Sequence, residues 1–171
     1  TKKNLRLIDA TNCVSEELFK FVSFNQNIMI QSKDLNIFTK KNFKFVSKRK
    51  PTFKQLKDLI FAFNVCRYVK SNAIVLASNE TTVGIGSGQP SRLDSCQIAI
   101  DKMKKFNLST NNLVAASDAF FPFVDGIEKL IQTGVKAVVQ PSGSIRDKEI
   151  IKFANETDTV LLFSRTRHFR H

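Results

Sequence analysis

Residues 113–123 read LVAASDAFFPF, an aliphatic run that leads through a Ser-Asp pair into three phenylalanines and a proline. The aliphatic part is typical of a buried strand, so a rigid aromatic loop is predicted to follow the end of a strand. A wall of aromatic rings binds flat heterocycles well. The same rings can equally plug a hydrophobic core, and this segment alone leaves both interpretations open.

Strand and helix patterns alternate around this segment. Strands are predicted at 112–116, 136–140 and 159–163, with helices at 124–133 and 146–154 between them. This alternation predicts an α/β fold in which helices cover a mostly parallel sheet. Loops that follow parallel strands gather at one edge of the sheet, where ligands bind in open α/β folds. The aromatic loop, Ser144 and the C-terminal tail are therefore predicted to converge on one site.

The N-terminal half shows a looser pattern. Thr52 and Gln55 have the spacing of a capping box, which predicts a helix that starts after Pro51 and ends near residue 70. Gly134 is predicted to end the helix at 124–133. The other predicted elements are a strand at 5–9, a helix at 15–22, short strands within 27–47, strands at 73–77 and 82–85, and a helix at 91–104.

Composition limits the class of protein. The chain has 171 residues, 42% of them hydrophobic, which suits one ordinary domain with a real core. It contains no apolar run long enough for a membrane span and no signal-peptide pattern, so we expect a cytoplasmic protein. Its three cysteines are too few and too dispersed for a disulfide framework or a zinc knuckle. We expect each of them to be a small buried apolar residue.

The formal net charge is +12, and much of the excess lies in residues 40–50. Phe43 and Phe45 alternate there with lysines, which predicts an edge strand with a solvated basic face. A funnel for anionic small molecules is the second interpretation. Nucleic acid binding is the third, since the basic run and the aromatic loop fall in different segments.

Four further segments have a composition suited to ligand contact: KSNAIV at 70–75, GIGSGQPSR at 84–92, PSGSIRD at 141–147 and RHFRH at 167–171. Together with the aromatic loop, they resemble the bifunctional purine-biosynthesis family, which joins a folate-dependent formyltransferase to an inosine monophosphate cyclohydrolase. The resemblance covers residues 51–171 and matches the C-terminal part of the formyltransferase portion. It implies two parts, with 1–50 ending the preceding subdomain and 51–171 forming the C-terminal formyltransferase subdomain.

The resemblance also implies a three-layer αβα fold like that of cytidine deaminases. The H-x-E and P-C-x-x-C signature of the zinc enzymes is absent, so no zinc site is expected. A monovalent cation, potassium, beneath the C-terminal tail is left open. The family further implies a homodimer with no membrane association.

Residue roles follow from the resemblance at matching positions. The ribonucleotide substrate is expected to contact Asn72, Arg92, Phe120 and Arg167. The folate cosubstrate is expected to contact Pro122, Phe123, Asp125 and Ser144. His171 is the expected catalytic residue, orienting the substrate amide or assisting proton transfer.

Each of these residues also has a purely structural interpretation. Asn72 could satisfy local backbone, Asp125 could be an acid favoured in the first turn of a helix, and Ser144 could be a helix cap. The glycines at 84–88 could form a flexible turn rather than a surface that a ligand approaches closely. A terminal Arg/His cluster is also often mobile and solvated.

The implied reaction is transfer of a formyl group from 10-formyltetrahydrofolate to the amine of 5-aminoimidazole-4-carboxamide ribonucleotide. The family's adjacent Lys-His pair has no counterpart in this sequence. The cyclohydrolase domain is missing as well, so we expect this chain to be inactive alone. The alternative is a non-catalytic basic α/β module that binds nucleic acid or a protein partner.

Overall fold

The computed structural model describes Arg6, Ile8 and Asp9, together with residues 19–106 and 111–170. The chain divides into two compact units, Thr1–Leu35 and Asn36–His171. Of the predicted strand at 5–9, residues 5 and 7 lie outside the described part, and Arg6, Ile8 and Asp9 are not in a strand. Cys13 and His171 also lie outside the described part. The assignment of 1–50 and 51–171 to two parts of a family fold stays a prediction.

A β-hairpin is the regular structure described in the first unit. Strands β1 (Phe19–Phe24) and β2 (Asn27–Ser32) pair in antiparallel register, and Asn25 adopts a φ of 52° in the turn between them. The predicted helix at 15–22 is therefore wrong from residue 19 onward, while residues 15–18 lie outside the described part. Aromatic and β-branched side chains are frequent in β1, and these favour extended backbone.

The second unit contains a six-stranded sheet and four helices. The strands are β3 (Phe43–Phe45), β4 (Ile74–Ser78), β5 (Thr81–Gly86), β6 (Val114–Ser117), β7 (Ala137–Pro141) and β8 (Val160–Ser164). The helices are α1 (Phe53–Cys66), α2 (Arg92–Lys105), α3 (Asp125–Gln132) and α4 (Asp147–Glu156). The strand order is β3-β8-β7-β6-β4-β5, which confirms the α/β class and places β3 at an edge as predicted.

The sheet is mixed rather than mostly parallel. Pairs β6–β7 and β7–β8 are parallel, whereas β3–β8, β4–β6 and β4–β5 are antiparallel. Strands β4 and β5 are joined by Asn79 and Glu80, which both have positive φ. Such a tight turn reverses the chain at once, and only the longer helical crossovers can return a strand in parallel.

Side chains from alternate positions along the strands build two cores. Ile74 and Leu76 pack into the core beneath α2, α3 and α4, while Val75 and Ala77 pack into the core beneath α1. Because helices cover both faces of the central strands, these strands carry apolar side chains on both faces and have no face exposed to solvent. The arrangement confirms the three αβα layers. None of the helices within the described residues has the length and apolar character that crossing a membrane requires.

Two predicted helix ends are confirmed. Thr52 and Gln55 form the capping box at α1, with Gln55 N donating to Thr52 Oγ1 at 3.2 Å and Thr52 N donating to Gln55 Oε1 at 3.0 Å. Gly134 follows α3 with a φ of 103°, and its N–H donates to the carbonyl of Ile131. These local signals were readable because each acts within one turn of its own helix.

Gly84 and Gly86 form neither a flexible turn nor a surface that a ligand approaches, which were the two interpretations of this segment. Both lie within β5, where a Cβ on Gly84 would stand 2.1 Å from the Ala99 carbonyl oxygen and one on Gly86 would stand 1.8 Å from that of Ser95. Their role is therefore to let α2 lie directly against the strand. Only Gly88, with a φ of 67°, serves the turn. This close packing fixes the start of α2 beside the start of β4.

We predict that Gly86→Ala lowers the free energy of unfolding by about 1–3 kcal/mol, because backbone atoms of α2 must move to admit the methyl group. Chemical denaturation followed by circular dichroism measures the change. Ser87→Ala is the matched control, since its hydroxyl makes a 3.3 Å hydrogen bond to the Lys70 carbonyl on the loop side. Equal stability of the two variants would show that the helix does not need this contact.

Candidate functional site

A cavity of about 450 Å³ opens where the loops after β5 and β6 and the C-terminal tail meet. Its lining includes seven of the nine predicted site residues: Asn72, Arg92, Phe120, Pro122, Phe123, Asp125 and Arg167. Ser144 is not among the lining residues, and His171 lies outside the described part of the chain. The structure thus brings the predicted residues together, and their roles stay predictions.

Arg92 is held by a buried ion pair. Its Nη1 contacts Oδ1 of Asp118 and donates to Ser117 Oγ at 3.1 Å, while its Nη2 donates to Asn72 Oδ1 at 2.8 Å. The Asp118 side chain is fully buried, and that of Arg92 is 9% exposed. The positive charge is therefore already balanced, which makes Arg92 a directional donor more than a free cation. These contacts leave part of the guanidinium's donor set for a ligand.

Asn72 has the structural role considered for it. Its Nδ2 donates to the carbonyls of Gln89 and Pro90 at 2.9 and 3.1 Å, so the amide does satisfy local backbone. Its Oδ1 also accepts from Arg92, and the residue lines the cavity. Contact with the substrate stays a prediction.

The rings of the aromatic loop serve both the core and the cavity, and Phe121 belongs to both. Phe121 is 1% exposed and packs against Gly126, where a Cβ would stand 2.6 Å from the ring. Phe120 and Phe123 line the cavity beside it. Burial of the central ring anchors the loop, and the flanking rings form the wall that the sequence predicted.

Guanidinium groups stack on both rings of the wall. Arg167 lies 4.6 Å from the centroid of Phe120, and Arg146 lies 4.6 Å from that of Phe123. Arg167 forms no ion pair with any described residue, so its charge is available to an anionic ligand. Arg146 pairs with Glu149 at 3.3 Å.

The C-terminal tail packs against other parts of the second unit, as far as residue 170. His168 N donates to the Asp118 carbonyl at 2.8 Å, and Ser71 N donates to the Arg170 carbonyl at 2.9 Å. The His168 ring is buried against Phe38 and Phe63, with centroids 5.1 and 4.8 Å away. His168 is thus a core aromatic and the tail is packed at this residue, whereas Arg167, Phe169 and Arg170 remain exposed to solvent.

Asp125 occupies the structural position considered for it, whereas Ser144 is not the helix cap, because the N-cap residue of α4 is Arg146. Asp125 is exposed in the first turn of α3, and its Oδ1 accepts from Gly126 N at 2.7 Å. Ser144 Oγ accepts from Arg146 N at 3.1 Å just before α4. Asp125 lines the cavity in addition, so its carboxylate can accept hydrogen bonds from a ligand.

Two cysteines lie near the site but are suited to packing. Burial raises the pKa of Cys96 to about 12, an effect that Arg92 opposes. Burial also raises the pKa of Cys66 well above its ordinary value, and the charge of Asp118 adds to this. Both thiols stay protonated at neutral pH and are poor nucleophiles. The prediction of small buried apolar residues is confirmed for these two.

The described residues offer little to a metal ion. No three histidine, cysteine, aspartate or glutamate side chains among them come together as a ligand set. Beneath the tail, Asp118 has one carboxylate oxygen on Arg92 and the other on Ser71 Oγ. A potassium ion there would share a carboxylate that a guanidinium already neutralises. The potassium site stays a prediction.

Comparison with known sequences identifies the family. The sequence profile of the AICARFT/IMPCHase bienzyme family matches residues 1–102, more than half of the chain. The chain belongs to this family. The match also covers residues 1–50, which lie outside the stretch 51–171 that carried the sequence resemblance.

Two relatives extend the match along the chain. The chain is 44% identical over 171 residues to the bifunctional purine biosynthesis protein PurH of Persephonella marina, covering 99% of this chain and 33% of that protein. It is 42% identical over 170 residues to PurH of Chlorobium phaeobacteroides, covering 99% of this chain and 32% of that protein. The chain therefore spans about a third of the length of these relatives.

Sequence reasoning missed three participants in the site. Asp118, the ionic partner of Arg92, was noted only as a polar residue after a strand. Phe169 lines the cavity from the tail, and Arg146 stacks on the wall from outside it. A charged residue between an apolar strand and an aromatic loop is a usable signal for Asp118. Phe169 and Arg146 lie in the segments 167–171 and 141–147 that the sequence singled out, but nothing in those segments distinguishes them from their neighbours.

We predict that Asp118→Asn lowers the free energy of unfolding by about 3 kcal/mol, since it leaves Arg92 charged, buried and unpaired. Denaturant titration at neutral pH measures the loss. Asp158→Asn is the matched control, because it removes an exposed partner from Arg49 and costs about 1 kcal/mol or less. If both variants lose the same stability, the buried pair has no special role.

Proposed function

We propose that this chain is part of an enzyme that transfers a formyl group from 10-formyltetrahydrofolate to 5-aminoimidazole-4-carboxamide ribonucleotide. The parent protein would join this activity to an inosine monophosphate cyclohydrolase, in the cytoplasm. One observation carries the proposal: a single cavity combines an aromatic wall with guanidinium groups in a chain that belongs to this bienzyme family.

The ribonucleotide is proposed to bind between Phe120 and the two cavity arginines. Arg167 has no ion-pair partner among the described residues, so its guanidinium is the better partner for the phosphate. Arg92 is already neutralised by Asp118 and suits a neutral acceptor such as the carboxamide oxygen. The flat imidazole ring can then stack on the aromatic wall.

The folate cosubstrate is proposed to bind at the other end of the wall. Phe123 and Pro122 provide a flat apolar surface, and the exposed carboxylate of Asp125 can accept two hydrogen bonds from adjacent N–H groups of a pterin edge. Ser144 stays a proposed folate contact from the neighbouring loop, outside the cavity lining. A cavity of about 450 Å³ lies within the range of small-molecule sites.

Catalysis would depend on placing the two ligands together. The substrate amine is a weak nucleophile because its lone pair is delocalised into the imidazole ring, so orientation should supply much of the rate. A proton must also leave the amine. His171 is the proposed proton-handling residue of this chain. The Lys-His pair of the family has no counterpart in the sequence, so we propose that this chain alone does not turn over substrate.

A homodimer is part of the same proposal. The β1–β2 hairpin is exposed throughout and bears large apolar side chains on both faces: Phe19, Phe21, Ile28 and Ile30 on one, and Val22, Phe24 and Met29 on the other. A lone two-stranded hairpin is marginal in water, and an exposed apolar patch of this kind marks an interaction surface. The hairpin therefore supports association with a further protein surface.

A binding module for polyanions is the second candidate. Lys48, Lys148 and Lys152 line a separate cavity of about 400 Å³ on the second unit. Lys152 is partly balanced by Glu156 at 3.8 Å. Binding of random oligonucleotides that weakens steeply with salt would favour this candidate over the transferase.

We predict that calorimetric titration detects binding of 5-aminoimidazole-4-carboxamide ribonucleotide and that Arg167→Met weakens it about tenfold, the scale of a lost charged hydrogen bond to phosphate. Arg165→Met is the matched control, since Arg165 is an exposed arginine of the same tail outside the cavity lining. Equal loss in both variants would indicate nonspecific attraction of the phosphate. No binding by the wild-type chain would count against a complete ribonucleotide site in this chain.

We predict that the purified chain sediments as a dimer and that Phe21→Lys shifts it toward the monomer, because a charge is placed within an apolar interface. Lys20→Glu is the control, because it changes the charge of the same strand at a position that is already charged and not at an apolar one. A monomeric wild-type chain, or a dimer that Phe21→Lys leaves unchanged, would contradict this role of the hairpin.

A further inference from the structure

Arg146 contacts the aromatic wall without lining the cavity. Its guanidinium carbon lies 4.6 Å from the centroid of the Phe123 ring, and Phe123 lines the cavity. Arg146 follows β7 and Phe123 follows β6, which are parallel neighbours in the sheet. The contact therefore joins the loops at the ends of two adjacent strands.

The loop that carries Arg146 is fixed by its own hydrogen bonds. The Asp147 carboxylate accepts from Gly143 N at 2.8 Å and from Ser144 N at 3.2 Å. Ser144 Oγ accepts from Arg146 N at 3.1 Å, and Glu149 accepts from Arg146 Nη1 at 3.3 Å. Both the main chain and the side chain of Arg146 are thus restrained, so it can act as a fixed support.

Phe123 needs such a support more than its neighbours do. Phe121 is 1% exposed and is fixed by the core, whereas Phe123 is 50% exposed. Within the described part of the chain, no other aromatic ring stacks on Phe123. The stacked guanidinium covers one face of the ring, which leaves the opposite face or the edge for a ligand.

We propose that Arg146 is a positioning residue that orients Phe123 for the pterin-like ring of the folate cosubstrate. This inference rests on the proposed function, which places Phe123 on the folate side. Arg167 has the corresponding position over Phe120 on the ribonucleotide side. The two ends of the wall would then be held by arginines from different parts of the chain, so a substitution of one arginine would affect the orientation of only one ring.

The first part of the test concerns the ring itself. The chain contains no tryptophan, so Phe123→Trp provides a single fluorescent reporter at this position. Acrylamide is a neutral quencher, so its access does not depend on the charge of Arg146. Adding Arg146→Met is expected to raise the quenching constant about twofold, as a cation–π contact of this strength restrains the exposed ring. An unchanged constant would overturn the proposal.

The second part measures folate affinity with tryptophan-free protein. We expect Arg146→Met to weaken binding of 5-formyltetrahydrofolate about threefold by calorimetry, the effect of one exposed cation–π contact. Arg146→Lys should weaken it nearly as much, because an ammonium lacks the planar stacking surface. Wild-type affinity in either variant would contradict the proposal.

Two controls separate stacking from general effects. Arg49 is the matched arginine, because it is also paired with an acidic residue and its side chain is 41% exposed, against 48% for Arg146. Arg49→Met should leave folate affinity unchanged. Glu149→Gln removes the charge of the ion pair but keeps a side-chain oxygen that can accept from Arg146 Nη1, so the stack is kept and the variant should also bind normally. A loss in Glu149→Gln as large as in Arg146→Met would assign the effect to the ion pair and overturn the proposal. If the wild-type chain binds no folate, this chain alone lacks a complete folate site, and the quenching experiment decides whether Arg146 holds the ring.

Discussion

The Arg92–Asp118 ion pair lies where four segments of the second unit meet. Asp118 follows β6, Arg92 begins α2, Ser71 and Asn72 precede β4, and the tail arrives through His168. A fully buried carboxylate is tolerated only when its charge is balanced and its lone pairs are satisfied. Meeting that requirement brings the four segments together, and the cavity forms beside them.

The packing of α2 on β5 makes this pair possible. Gly84 and Gly86 let the helix approach until its carbonyls would touch any added Cβ, and this sets where the first turn of α2 lies. A helix displaced outward by a single methyl group would carry Arg92 away from Asp118. The site therefore depends on a contact in the core that involves no functional side chain.

The aromatic wall shows how one segment can serve both stability and binding. Phe121 is buried in the core and fixes the path of the loop, so Phe120 and Phe123 are presented to the cavity at defined positions. Arginines from two other segments then stack on those rings. Preorganisation of this kind reduces the ordering that a ligand must impose when it binds.

The sequence by itself determined the α/β class, the positions of most strands and helices in the second unit, and the clustering of seven site residues. These features follow from local periodicity, capping and the geometry of strand ends, together with motifs in a recognisable order. Tertiary structure decided what depends on a partner segment. The β1 segment is a strand that pairs with β2, and the sheet is mixed because a two-residue turn joins β4 to β5. These two pairings are local, but the Arg92–Asp118 pair joins residues 26 positions apart, and no local pattern encodes which distant partner a side chain will meet.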